Sequence, residues 1–256
     1  MRVIRVRHKG QSFYASLGDG MVISLNRQQD MDEPIPLSEI TLMPLLLPSK
    51  VICIDLNYRD AAIERDLPVP ERPSFVLRPN SSLLTNGQSV PLPAQVHTVY
   101  PEAELAIVIG QPCRRIRPED APRHIFGYTC ANDITVRDYP DDPCRTAGKA
   151  FDATCPIGPW LETHLSDREE MVIRCLVNGE VRQSGTMADM IFPPAELLSY
   201  LSQFMTLNPG DVILTGTPSG AAEAQAGDSV QVEIPGVGVL FNTLTEEVET
   251  PRLPVQ

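Results

Sequence analysis

The sequence predicts an α+β fold rich in short strands. Leu105-Ala106-Ile107-Val108-Ile109 is an unbroken apolar run with β-branched residues, the pattern of a strand buried on both faces. Prolines number 25 in 256 residues, and with clustered glycines they favour short strands and irregular connections over long helices. Helical patterns are few and do not alternate regularly with strands, as a doubly wound sheet would require.

The first 25 residues alternate in hydropathy (Val3, Ile4, Val6; Phe13, Ala15, Leu17; Val22, Ile23) around a Gly18-Asp19-Gly20 turn, which predicts an antiparallel meander. With the polar stretch NRQQDMDEP and the apolar residues 42–47, it gives a small N-terminal β-rich subdomain over residues 1–48. Residues 50–54 read as a strand. Residues 58–66 read as a short helix that stops before Pro68. Phe75-Val76-Leu77 follows, then SSLLTNGQSVPLP, read as a strand, an Asn86-Gly87 turn and a second strand. Arg117-Pro118-Glu119-Asp120 resembles a helix start with acidic first-turn residues. Residues 127–136 read as a strand and 174–182 as a hairpin turning on Asn178-Gly179. Residues 194–204 form the strongest helical pattern: proline at the start, then Leu197, Leu198, Leu201 and Phe204 at helical spacing. Residues 211–215 and 228–234 are two more strands, and the tail 249–256 is expected to be loosely ordered.

A net charge of −12 argues against nucleic acid and anionic membrane surfaces as partners. An anionic ligand would have to be met by positive charge built up locally. No run approaches the ~18 apolar residues of a membrane span, and no apolar stretch of signal-peptide length follows MRVIRVRHKG. Six cysteines are scattered without a CxxC pair, the pattern of reduced thiols, so the expected compartment is the cytoplasm.

One feature conflicts with a simple buried strand. The 105–109 run opens with Glu102 and Glu104, whose i, i+2 spacing puts both side chains on one face of a strand. Two like charges entering an interior together are unfavourable unless something neutralises them. Either the strand end is solvated, or a divalent cation sits between the two carboxylates.

Further blocks accompany this one. After Glu102-x-Glu104-Leu-Ala come Gly127-Tyr128-Thr129-x-x-Asn132-Asp133-x-x-x-Arg137-Asp138 and Gly148-Lys149-x-Phe151-Asp152. Then come Pro156-Ile157-Gly158-Pro159-Trp160, Val177-Asn178-Gly179-Glu180, Ile191-Phe192 and Leu207-x-Pro209-Gly210-Asp211-Val212-Ile213-x-Thr215-Gly216-Thr217-Pro218-x-Gly220. In this order and spacing, from about residue 50 to 245, the chain resembles the fumarylacetoacetate hydrolase family. RQSGTMADMIF and FMTLNPGD look most like members that isomerise or decarboxylate 2-oxo diacids of the homoprotocatechuate pathway.

The resemblance implies a mixed β-sheet roll, a catalytic domain over 49–248 and a homodimer. It also implies Mg²⁺ or Mn²⁺ on Glu102, Glu104 and Asp133, a hard-oxygen set that suits either ion. Alone, Asp133 would read as a turn residue and Lys149 as a surface lysine. The family pattern places Lys149 beside the metal, where its charge can stabilise or protonate an enolate. Thr217 and Gly216 match the turn that holds a substrate carboxylate, which is also an ordinary Gly/Pro turn between strands. Arg137 faces either the substrate or Asp138. The substrate tail depends on the loop 139–145 and the Arg59 region.

The chain departs from the family where Gly-Leu-Asn-Tyr-x-x-His-x-x-Glu is usual. Here it reads Asp55-Leu56-Asn57-Tyr58-Arg59-Asp60-Ala61-Ala62-Ile63-Glu64, keeping the glutamate as Glu64 but placing Ala61 at the histidine, and Pro140 replaces a common glutamine. Alanine cannot activate water, and C–C hydrolysis needs a base that does so. The expected function is therefore a divalent-metal-dependent isomerase or decarboxylase acting on an unsaturated 2-oxo diacid in aromatic catabolism. The alternatives are an acylpyruvate hydrolase with another base and a catalytically weak subunit that binds a 2-oxo acid.

Overall fold

A computed structural model describes residues 1–26, 33–139, 141–142, 145–165 and 170–247. The tail 249–256, Pro140 and Cys144 lie outside the described residues. Among the described residues the chain forms nineteen strands and two α-helices. The N-terminal meander is β1 (Arg2–His8), β2 (Gln11–Gly18) and β3 (Met21–Ser24), flanked by β4 (Ile35–Pro36) and β5 (Thr41–Leu42). Next come β6 (Val51–Ile54), α1 (Arg59–Glu64), β7 (Phe75–Arg78), β8 (Leu83–Thr85), β9 (Ser89–Leu92), β10 (Val99–Tyr100) and β11 (Ala103–Ile109). The chain continues through β12 (Ile125–Asn132), β13 (Thr135–Val136), β14 (Cys155–Glu162), β15 (Val172–Val177), β16 (Glu180–Thr186) and α2 (Pro194–Phe204). It ends with β17 (Val212–Leu214), β18 (Ser229–Ile234) and β19 (Gly238–Glu246).

The large mixed sheet runs β4-β3-β2-β1-β14-β12-β11-β17-β6-β7. From β7 the chain passes through one 3₁₀ turn (Asn80–Ser82) to β8, which pairs with β14 in parallel. The far edge is thereby carried back toward the middle of the sheet, and the result is a roll. Its lining is apolar: Val51, Cys53, Ala106, Val108, Ala131 and Leu214 belong to one buried cluster. The meander has a cluster of its own around Val6, Phe13, Ala15 and Val22, and joins the roll where Val3 pairs with Leu161. A second sheet, β16-β15-β18-β19-β9, encloses the main core with α2, which buries Leu197, Leu198 and Leu201. No described helix is long and apolar enough to cross a membrane.

The strands flanking Asn86-Gly87 do not pair with each other: β8 goes to the roll and β9 pairs with β19 in the second sheet. The helix expected after Arg117 is a 3₁₀ segment (Pro118–Arg123) interrupted by Pro122. Asn178 and Gly179 both take positive φ (53° and 80°), as a tight hairpin with right-handed strand twist requires.

Candidate active site

Strand directions create the site. β11 runs antiparallel to β12 and β17, and β17 is parallel to β6. The start of β11 therefore lies with the ends of β12, β17 and β6. Glu102 immediately precedes β11, Glu104 is within it, and Asp133 immediately follows β12. The Asp133 N–H donates to Glu102 O (2.8 Å), and the Glu102 N–H donates to Asn132 Oδ1 (3.1 Å).

The three carboxylates are buried, at 6%, 1% and 0% exposure, which removes the solvated-strand-end alternative. One ligand oxygen from each lies within 4.8 Å of the others. Gly216 N–H donates to Glu104 Oε2 (2.5 Å). Gly216 has φ +93°, and a Cβ there would come within 2.7 Å of Asn57 Cβ, so only glycine brings this donor in. Asn57 fixes the turn by donating to Thr215 O (2.7 Å) and Phe192 O (3.0 Å).

Two buried cations face this negative cluster. Lys149 Nζ contacts Asp133 Oδ2 and lies 2.9 Å from Thr135 Oγ1 and 3.5 Å from Glu102 Oε2. Arg78 donates from Nε to Asp133 Oδ1 (2.6 Å), from Nη1 to Thr154 Oγ1 (3.0 Å) and from Nη2 to Ile134 O. Burial works against the ammonium charge of Lys149, but Asp133 and Glu102 outweigh it and hold the lysine protonated. Burial also works against ionised Asp133, and Arg78 and Lys149 reverse that, so its pKa falls. Glu104 is compensated too little: burial pushes its carboxyl well above the usual range, Asp133 and Glu102 push it further, and Lys149 with the Gly216 N–H only partly offsets them. Lys149 and Arg78 pair with Asp133, and Arg65 and Arg137 reach Glu102, so among the described ion pairs Glu104 alone of the three has no cation partner and the deficit of positive charge lies there. Hard oxygens with such a deficit fit a divalent cation of the Mg²⁺ or Mn²⁺ kind.

A cavity of about 330 Å³ opens on this cluster, lined by Glu102 and Lys149 together with Arg65, Arg137, Asp55 and Arg145 among others. Arg137 stacks on Tyr100 (3.8 Å to the ring centre) and reaches Glu102 Oε1 at 3.3 Å, whereas Asp138 accepts from the His97 and Thr98 backbones. Thr217 is buried beside the cluster, donating to Ala103 O (2.8 Å) and accepting from Gln183 Nε2 (2.8 Å). Arg59 and Glu64 are exposed and do not line the cavity, and Glu64 accepts the Gly220 N–H (3.0 Å). The arginine that α1 does bring in is Arg65, 3.8 Å from Glu102 Oε1. Ala61 is buried in the main core, and no histidine is among the described lining residues. Sequence reasoning missed Arg78 and Arg65, and it placed Arg145 only within a loop.

Residues 50–245 match the family model for the fumarylacetoacetate hydrolase C-terminal region. The chain belongs to the fumarylacetoacetate hydrolase family. Among its relatives, a human mitochondrial oxaloacetate tautomerase is 41% identical over 221 residues, covering 81% of this chain and 70% of that protein. The crystal structure of a 5-carboxymethyl-2-hydroxymuconate delta-isomerase from Mycobacterium smegmatis superposes with a TM-score of 0.88 at 35% identity, covering 97% of this chain and all of that one. A maleylpyruvate hydrolase from Sphingobium sp. SYK-6, in complex with manganese(II) and pyruvate, superposes with a TM-score of 0.81 at 27% identity, covering 97% and 100%. Relatives in this family are thus isomerases, hydrolases and tautomerases.

Proposed function

We propose that this protein is a divalent-metal-dependent enzyme that promotes enolate chemistry on 2-oxo acids, as an isomerase or decarboxylase of an unsaturated 2-oxo diacid. The observation that carries this reading is the position of Lys149, a buried ammonium group on the cavity wall that touches both Asp133 and Glu102. Glu102, Glu104 and Asp133 would hold Mg²⁺ or Mn²⁺. Bound there, the ion supplies Lewis-acid polarisation of a 2-oxo acid's carbonyl.

The chain's own groups supply the rest. Lys149, held protonated, is a fixed cation for the negative charge that develops when a proton or CO₂ leaves C3 of the substrate. A lysine with a raised pKa is a poor base at neutral pH, so its part is electrostatic, or that of a proton donor. Arg78 keeps Asp133 oriented from behind. Arg65 and Arg137 add positive charge on the cavity side of Glu102, so a protein of net charge −12 can still attract an anion.

Hydrolysis has less support. It needs a general base beside a water, and the lining offers no histidine among the described residues. Asp55 and Asp142 are the described lining carboxylates outside the triad, and Arg145 engages Asp55. The family resemblance also supports a homodimer, and a monomer in light scattering at micromolar concentration would count against it.

The test is product-resolved. The Mg²⁺-loaded protein is incubated with a panel of unsaturated 2-oxo diacids and acylpyruvates, and isomerised, decarboxylated and cleaved products are separated. Isomerisation or decarboxylation should exceed C–C hydrolysis by about 10²- to 10⁴-fold, the usual contribution of a positioned base. Dominant hydrolysis would reverse the assignment.

A further inference from the structure

The positive groups of the cavity fall into two sets. Lys149, Arg65 and Arg137 all converge on the Glu102–Asp133 side. Arg145 does not join them and instead pairs with Asp55, the residue that follows β6. This pair joins two walls of the cavity, the end of β6 and the segment that leads to Lys149. Arg145 is held in the left-handed region (φ 53°), with its N–H donating to Asp142 O (3.1 Å). For a residue with a β-carbon this conformation is uncommon and marks a constrained position.

The pair is only half sheltered, with side-chain exposures of 48% for Arg145 and 27% for Asp55. Ion pairs this open to water add little net stability, so one carboxylate partner can replace another at small cost. Arg145 also has the planar, two-pronged donor geometry that matches a carboxylate.

We infer that Arg145 reads a second carboxylate on the substrate and that Asp55 is a built-in competitor occupying it until such a substrate arrives. The inference rests on the proposed reading of the cavity as a 2-oxo acid site. A monoacid leaves the Asp55–Arg145 pair in place. A diacid of sufficient length exchanges its distal carboxylate for that of Asp55, which then turns to solvent. Asp55 thereby sets how strongly diacids are preferred over monoacids.

Two ligands of equal chain length isolate the effect: 2-oxoglutarate and 2-oxopentanoate, which differ by the terminal carboxylate. Their dissociation constants are measured by calorimetry on the Mg²⁺-loaded full chain and on its Asp55→Asn, Arg145→Gln and Arg145→Lys variants. The readout is the ratio of the two constants within each protein, which a general disturbance of the site does not move. Arg145→Gln should reduce the diacid preference about tenfold or more, the worth of a charge-assisted carboxylate contact. Arg145→Lys should reduce it less. Asp55→Asn should raise it severalfold, because the competitor is gone. An unchanged ratio in Asp55→Asn and Arg145→Gln overturns the inference while leaving the 2-oxo acid reading intact. If the parent binds Mg²⁺ but neither ligand, the 2-oxo acid reading itself fails and the inference falls with it.

Discussion

Replacing Arg78 with methionine removes the cation behind Asp133 while keeping most of the side chain's bulk. Arg78 is 3% exposed, and three donors are lost together: to Asp133, to Thr154 and to the Ile134 carbonyl. Removing one member of a buried ion pair costs about 3–5 kcal/mol. Lys149 still faces Asp133, so the ionic part lies at the low end, and the lost donors to Thr154 and the Ile134 carbonyl add to it. Methionine returns some apolar burial but cannot satisfy the Ile134 carbonyl, so a net loss of about 4 kcal/mol is expected. For a chain of this size that lowers Tm by roughly 8–16 °C. The assay is thermal unfolding in excess chelator, repeated in Mg²⁺. Arg78→Lys keeps the charge but offers a single nitrogen to three partners, so it should lose less, about 1–3 kcal/mol. In Mg²⁺ the gap between parent and Arg78→Met should narrow, since a bound cation restores positive charge to Asp133. A methionine variant that melts within about 2 °C of the parent in chelator would show that Arg78 does not balance the cluster.

Lys149→Met should retain Mg²⁺ affinity by calorimetry yet lose turnover by about 10²-fold or more, because the ammonium is needed as negative charge develops; unchanged turnover would return Lys149 to a structural role. Asp211 is buried, which disfavours its charge, but hydrogen bonds from the Asn208 N–H, Lys50 and Ser49 outweigh this and hold its pKa below the usual range. A depressed carboxylate stabilises the fold above its unfolded pKa of about 3.9, and that contribution fades as pH falls below it. Urea unfolding should therefore find Asp211→Asn weaker than the parent by about 1–3 kcal/mol at neutral pH, with the difference shrinking from about pH 4 downward; a gap that does not change with pH would contradict the sign.

Local pattern was enough to locate β11, α2 and the Asn178-Gly179 hairpin, because each is specified by neighbours in sequence. β14 has no strand signal in the sequence: Pro156, Gly158 and Pro159 are residue types that weaken strands, yet the segment lies between β1 and β12 in the roll. The triad could be read only from the family pattern, since neither Asp133 nor Lys149 carries a local signal. Arg78 was illegible for a different reason. In FVLRP it looks like a strand-end arginine facing water, and its burial follows from closure of the roll, which brings it to Asp133, 55 positions away. Arg65 and Arg59 are equally plausible from sequence, and only the orientation of α1 selects Arg65 for the cavity.

Enolate formation can be followed directly as deuterium exchange at C3 of a panel of 2-oxo acids, by proton NMR in D₂O with Mg²⁺. The parent should accelerate loss of the C3 proton signal well above buffer. Chelation or Glu104→Gln should remove that acceleration by removing the metal, and Lys149→Met should remove it with the metal still bound. A parent that binds Mg²⁺ by calorimetry but exchanges no C3 proton faster than buffer, across the whole panel, would contradict the assignment of this cavity to enolate chemistry.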